Sequence, residues 1–166
     1  MPKDVNALIA HGRNAGSPMR LLEAVIQVNE HQPDKVINIL KKHYASLNGV
    51  DVAVLGLSFR PDTNDMRESP AIPILRLLVA EGAQVRAYDP AAREEAKAIF
   101  RGDSVRVCEE LEDTIEGAKA VIVVTRWEQF KTLPELLRNF ENQPLVIDAR
   151  RMLEKKSFKR YEGIGL

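Results

Sequence analysis

The chain has 166 residues, with 24 basic and 24 acidic side chains and so no formal net charge. That is about one domain of sequence, able to bury roughly 70% of its unfolded surface without staples, and the charge balance excludes a protein that coats nucleic acid through bulk electrostatics. A single cysteine, Cys108, excludes an intrachain disulfide, no Cys/His spacing reads as a zinc site, and no run of ~18 apolar residues reads as a membrane span.

Hydrophobic residues make up 45% of the chain and charged residues 29%, as in an ordinary globular domain. The opening MPKDVNAL has no basic flank before an apolar run, so no signal peptide is expected and a cytoplasmic domain is. Zero net charge leaves room for a local anion site, because it says nothing about where the arginines gather.

Residues 4–13 carry Val5, Leu8 and Ile9 at helical spacing and stop at Asn14-Ala15-Gly16. Ser17-Pro18 reads as a restart, with Ser at the N-cap and Pro at the first helical position. Leu21, Leu22, Val25, Ile26 and Val28 form an apolar stripe that resumes at Val36, Ile37, Leu40 and Tyr44, and Pro33 kinks the helix or splits it in two. A continuous helix over 17–45 spans roughly 40 Å. That exceeds what one small domain needs, so the stripe, Ile37 included, is expected to meet a second copy of the chain.

The remainder alternates strand and helix. Strands are expected over 50–57, 84–88, 104–107, 120–125, 145–147 and, as a last edge strand, 161–165; helices over 69–82, 91–100, 109–116 and 133–140. The nearly continuous apolar runs VDVAVLGL and AVIVVT suit strands buried on both faces. Repeated β-α-β units with right-handed crossovers make a parallel sheet with helices on both faces.

Ligands of such sheets bind beyond the carboxyl ends of the strands, near the point where the strand order reverses. The loop after the first strand is long and holds Arg60 and Arg67 among polar residues; it is either a solvated, salt-bridged loop or a phosphate site built from guanidinium forks and the Ser69 helix start. Gly56 stands alone there, without the Gly-rich dinucleotide pattern. Trp127, at the fourth strand's exit, either stacks on a base or caps the core. Asp89, ending the second strand, either holds a ribose or starts a turn and caps a helix. Arg150 and Arg151 follow the fifth strand, where an anion fits, and Cys108 reads as a buried thiol in preference to a nucleophile.

The segment 54–70, VLGLSFRPDTNDMRESP, resembles the F-K-x-x-T-x-D-x-R-E-S motif of the UDP-glucose/GDP-mannose dehydrogenase family. The segments 87–90 (AYDP), 125–130 (TRWEQF) and 147–151 (IDARR) follow in that family's order, MPKDVNAL is similar to the stretch after its catalytic cysteine, and Asn29-Glu30 to its central helix. The resemblance implies an α/β fold: a Rossmann-like parallel sheet with helices on both faces, preceded by a long N-terminal helical segment. It implies a division into residues 1–47, with the central dimerisation helix, and residues 48–166, a UDP-sugar-binding domain.

The function implied is the nucleotide-sugar-binding part of an NAD-dependent oxidoreductase of polysaccharide biosynthesis. It takes UDP-glucose to UDP-glucuronate by two hydride transfers to NAD⁺ through a cysteine thioester. Arg60, in place of the family's lysine, and Arg150 are implied as substrate-binding, with Arg151 a substitute for Arg150. Lys3 and Arg67 are implied on the NAD side, and Asp4 as assisting the cysteine. The family often has T-E-W where this chain has Thr125-Arg126-Trp127, and no charged ligand group is assigned to that change. Because the chain starts just past the expected cysteine and the Gly-rich NAD domain, it is expected to bind a UDP-sugar as a homodimer and not to catalyse. The alternatives are a GDP-mannose or UDP-N-acetylhexosamine dehydrogenase, or a non-enzymatic nucleotide-binding regulatory or dimerisation domain. No metal, nucleic acid or membrane partner is implied.

Overall fold

The computed structural model describes residues 2–165. Met1, the first residue of the segment likened to the family's post-cysteine stretch, and Leu166 lie outside the described residues. Six strands, β1 (Asp51–Leu55), β2 (Gln84–Tyr88), β3 (Val105–Val107), β4 (Ala120–Val123), β5 (Leu145–Asp148) and β6 (Tyr161–Gly163), form one sheet in the order β3-β2-β1-β4-β5-β6. Every adjacent pair is parallel, with Leu55 opposite both Tyr88 and Val123 and Val123 opposite Asp148. The order reverses between β1 and β4, so the loops leaving these two strands flank the crevice where such sheets take ligands.

Side chains alternate between the two faces of each strand. Val52, Val54, Ile122 and Ile147 pack on one face with the helices α3 (Gln32–His43), α4 (Ala71–Ala80) and α5 (Arg93–Ile99). Ala53, Leu55, Val121 and Val123 pack on the other with α6 (Leu111–Ile115) and α7 (Leu133–Leu137). With both faces covered, β4 and β5 have no exposed position at all, which is why β4 is the unbroken apolar run AVIV and β5 is apolar up to its closing Asp148. The edge strand expected near the C-terminus is present as β6, paired with β5. Two short 3₁₀ segments, Glu128–Thr132 and Lys155–Ser157, were not expected from the sequence.

The N-terminal helices differ most from expectation. The 17–45 segment is two helices, α2 (Arg20–Glu30) and α3, separated at His31. Pro33 sits in the first turn of α3, where its missing N–H has no helical partner to lose. Ser17 does not cap α2, which starts three residues later behind Met19. Its backbone N–H instead closes the end of α1 (Pro2–Asn14), donating to the Gly12 carbonyl at 2.8 Å. A Cβ on Gly12 would lie 2.7 Å from the Ser17 oxygen, so glycine lets this turn pack tightly.

α3 lies on the sheet, with Val36, Ile37, Ile39 and Leu40 buried. Ile37, expected on a stripe facing a second copy, is 6% exposed and belongs to the chain's own core, because the break at His31 lets α3 turn back onto α4. α2 contains no buried residue, and its Leu21 is 78% exposed.

Leu40 is fully buried between α3 and the sheet. Leu40→Ala is expected to lower unfolding stability by about 2–5 kcal/mol, read from urea denaturation, because the site has a sheet floor that cannot collapse into the cavity.

Candidate functional site

Asp89 follows β2 with no exposed surface. Its Oδ2 accepts the backbone N–H of Leu57 at 2.7 Å and of Ser58 at 2.9 Å, the Ser58 hydroxyl at 2.8 Å and the Trp127 indole N–H at 3.0 Å. Its Oδ1 accepts the backbone N–H groups of Ala91 and Ala92, both at 2.9 Å. One carboxylate therefore ties the loop after β1, the loop after β4 and the turn into α5. A carboxylate offers about four lone-pair sites, and six donors leave none for a ribose hydroxyl. The turn-and-cap role, one of the two open for Asp89, is the one realised.

Trp127 follows from the same contact. Its indole N–H serves Asp89 and, at 3.1 Å, the Ser58 hydroxyl oxygen, while its ring packs against the core of the second face. It caps the core. The Thr125 hydroxyl adds a bond to the Ser58 carbonyl at 2.7 Å. The β1 and β4 loops approach so closely that a Cβ on Gly56, whose φ is +89°, would fall 2.6 Å from the Thr125 nitrogen. Gly56 is required by this approach.

Asp148 plays a similar part at the end of β5. It is fully buried and accepts the backbone N–H of Arg150 at 2.9 Å, of Met152 at 2.8 Å and of Leu153 at 2.7 Å, and the Tyr161 hydroxyl at 3.2 Å. Burial, then the Asp148 charge, pushes the Tyr161 phenol up to about 12. The loop so held presents Arg150, half-buried, with its Nε donating to the Val124 carbonyl. Arg126, exposed, donates from Nε at 3.1 Å and from Nη2 at 2.7 Å to the Arg150 carbonyl. Burial, then the Arg126 charge, draws the Arg150 guanidinium below its ordinary range. Among the described residues, neither arginine has a carboxylate within ion-pair distance. Arg151, with φ at 50°, donates its guanidinium nitrogens to the carbonyls of Ile164 and Gly165.

Arg60 is exposed just past Phe59, itself 39% exposed, and no ion pair or side-chain hydrogen bond engages it among the described residues. Arg67 is already partnered: its Nε lies 3.0 and 3.2 Å from the two Asp65 oxygens and its Nη2 2.8 Å from one of them. Bonds from the Arg67 side chain and backbone hold the Asp65 carboxyl down to about 2, and Lys3 adds a weaker pull. Lys3 and Arg67 thus share one neighbourhood, and Asp4 lies exposed beside Lys3 on α1. Arg126 and Arg150 form another group, and no direct bond joins Arg60 to either. A groove of about 780 Å³ opens beside Arg67 between its loop, α4 and α5, lined by Thr63, Ile72, Arg76 and Ile99. Cys108 is 5% exposed at the end of the edge strand β3, as a buried thiol.

Sequence reasoning took Asp89 and Trp127 one at a time, did not join them with Ser58 into a cluster, and assigned nothing to Arg126. For Arg126 the signal was available: it leaves a buried strand end just as Arg150 does. For the cluster it was not, because its members are 31 and 38 residues apart.

Asp89→Asn places an amide where only donors converge. It is expected to cost at least about 3 kcal/mol in urea unfolding, since several buried N–H groups lose a charged acceptor at once. The near-ultraviolet circular dichroism of Trp127 should weaken with it.

The profile described as "UDP-glucose/GDP-mannose dehydrogenase family, UDP binding domain" matches residues 53–155. UDP-glucose 6-dehydrogenase TuaD of Bacillus subtilis (strain 168) is 36% identical over 169 residues, which cover 99% of this chain and 36% of that relative. UDP-glucose 6-dehydrogenase AglM of Haloferax volcanii is also 36% identical, over 98% of this chain and 37% of that relative. The solved structure of a UDP-glucose dehydrogenase from the hyperthermophilic archaeon Pyrobaculum islandicum superposes with a TM-score of 0.86 at 35% identity, over 98% of this chain and 36% of that one. The chain thus spans little more than a third of the length of the relatives it matches. With the profile covering more than half of the sequence, and its arginine-bearing loops at the carboxyl edge of a six-stranded parallel sheet, the chain belongs to the UDP-glucose/GDP-mannose dehydrogenase family.

Proposed function

We propose that the carboxyl edge of this sheet binds the diphosphate of a UDP-sugar through Arg60 and Arg150. In this reading the chain is the nucleotide-sugar-binding part of an NAD-dependent UDP-glucose 6-dehydrogenase that makes UDP-glucuronate, a precursor for polysaccharide biosynthesis, in the cytoplasm. The supporting observation is the Arg150 guanidinium, whose terminal nitrogens bond no other described residue and which is held at the strand ends by the buried Asp148 loop. Guanidinium forks match phosphate oxygens, and charge-assisted bonds of this kind are roughly twice as strong as neutral ones. Residues 48–166 form the binding unit in this proposal and residues 1–47 the helical segment, whose α3 shares the core of residues 48–166.

The residues present do not make a dinucleotide site of this sheet: Gly56 is a lone glycine and the Asp89 carboxylate is saturated. NAD⁺ supplies the hydride acceptor of the whole reaction and, in this reading, is held by the part of the relatives' length that these 166 residues do not match. Lys3 and Arg67 are its contacts at the rim, and Asp4 assists the catalytic thiol. No oxidation step is assigned to the described residues, since Cys108 is buried on the far edge strand. The chain by itself binds without turnover.

Calorimetry with UDP, UMP and GDP tests the site. UDP is expected to bind with micromolar to millimolar affinity, about −8 to −4 kcal/mol, and better than GDP. Arg60→Ala and Arg150→Ala should each cost about 1–3 kcal/mol, Arg67→Ala less, and added NAD⁺ with UDP-glucose should yield no NADH absorbance. Equal binding by all variants overturns the assignment.

We propose also that α2 carries the homodimer contact, through Leu21, Val25 and Val28, which are 78%, 45% and 59% exposed. Full burial of such side chains contributes ~1.5–3 kcal/mol each. Sedimentation should show a dimer at micromolar concentration and a monomer for Leu21→Glu; a wild-type monomer ends this reading.

A further inference from the structure

We propose that Arg126 is a second anion-binding residue of this site, its guanidinium set beside that of Arg150 so that the two clasp one phosphate or pyrophosphate group between them. The proposal rests on the UDP-sugar reading for the nucleoside, and on the arginine pair alone for the anion.

The two arginines are laced across the ends of neighbouring strands. Arg126 extends beyond β4 and donates Nε and Nη2 to the Arg150 carbonyl, while Arg150 extends beyond β5 and donates Nε to the Val124 carbonyl. Each side chain is thereby anchored near its head by the other strand's exit. Anchoring of this kind lowers the rotamer entropy a long side chain loses when it meets a ligand. No hydrogen bond among the described residues engages Nη1 of Arg126 or either terminal nitrogen of Arg150. These are the atoms with which a guanidinium grips a phosphate in a fork.

The charges are also left uncompensated. Arg67, in the preceding loop, has Asp65 in a bidentate pair, whereas among the described residues the Arg126 and Arg150 side chains bond only backbone oxygens. Arg126 acts on Arg150 as a like charge, in a position where Arg150 is already half-buried. Like charges held together, with no carboxylate within ion-pair distance of either guanidinium among the described residues, repel one another, and an anion between them relieves that repulsion. Their place, at the carboxyl ends of β4 and β5 next to the strand-order reversal, is where a parallel sheet receives its ligand. With two guanidinium groups in place of one, the site should favour the more highly charged of two ligands that share a nucleoside, UDP over UMP, and lose affinity with added salt more steeply than a one-arginine site.

The test is calorimetry with inorganic pyrophosphate and with UDP on the 166-residue chain and on Arg126→Ala, Arg126→Gln, Arg126→Lys and Arg150→Ala, at low and high salt, with circular dichroism confirming the fold of each. Arg126→Ala and Arg126→Gln are expected to weaken both ligands on the order of tenfold and to flatten the salt dependence, with Arg126→Lys in between. The Gln variant separates charge from positioning, since its amide can still donate to the Arg150 carbonyl. Wild-type affinity in Arg126→Gln overturns the proposal. So does unchanged binding in every Arg126 variant beside loss in Arg150→Ala, and that result leaves the UDP-sugar reading standing. Pyrophosphate binding that depends on Arg126, with UDP no tighter than pyrophosphate, supports the clasp and removes the uridine reading. No binding of either ligand by the wild type overturns both.

Discussion

The Asp89 carboxylate has no access to solvent, and a bare charge in such a place would be heavily penalised. Six donors, drawn from the exits of β1 and β4 and from the turn after β2, remove that penalty. In doing so they fix how three loops stand relative to one another. The position of Phe59 and Arg60, the inward turn of Trp127 and the tight approach of Gly56 to Thr125 all follow from that convergence. The same saturation removes the residue that a dinucleotide-binding sheet would use on a ribose.

Asp148 repeats the device one strand pair further on, and its effect is on charge as well as shape. By accepting three backbone N–H groups and a phenol hydroxyl, it holds a tight turn from which Arg150 projects without a carboxylate ion pair among the described residues. The acidic and basic groups at this edge are thus sorted. Asp89 and Asp148 are buried and satisfied by neutral donors, whereas Arg60 and Arg126 at the same strand ends are exposed. Arg67 is the exception, neutralised by Asp65 two residues away and open to solvent.

The two N-terminal helices divide two tasks. α3 packs its apolar stripe on the sheet beside α4 and is part of the core, whereas α2 packs on α1 with Leu22 and Ile26 only partly buried and no residue fully so. Breaking the helix at His31, with Pro33 in the first turn of α3, allows one amphipathic segment to serve the core while the other presents Leu21, Val25 and Val28 outward.

Periodicity determined a good deal of this protein. Strands buried on both faces announce themselves as unbroken apolar runs, and the period of 2 or 3.6 that separates strand from helix is visible in any short window. The parallel sheet, its edge strand and the break near Pro33 were legible for that reason, as were the arginines at strand ends, since the end of an apolar run marks the ligand edge. The segment 54–70 carried the family likeness in consecutive residues. What the tertiary structure alone decided depends on partners far apart in the chain: Asp89 with Trp127, Arg126 with Arg150, and Ile37 in its own core. A side chain at a strand exit has the same local sequence whether it holds a ligand, caps a turn or props a neighbour. Only the packing of distant strand ends against one another settles which donors it meets and which remain free.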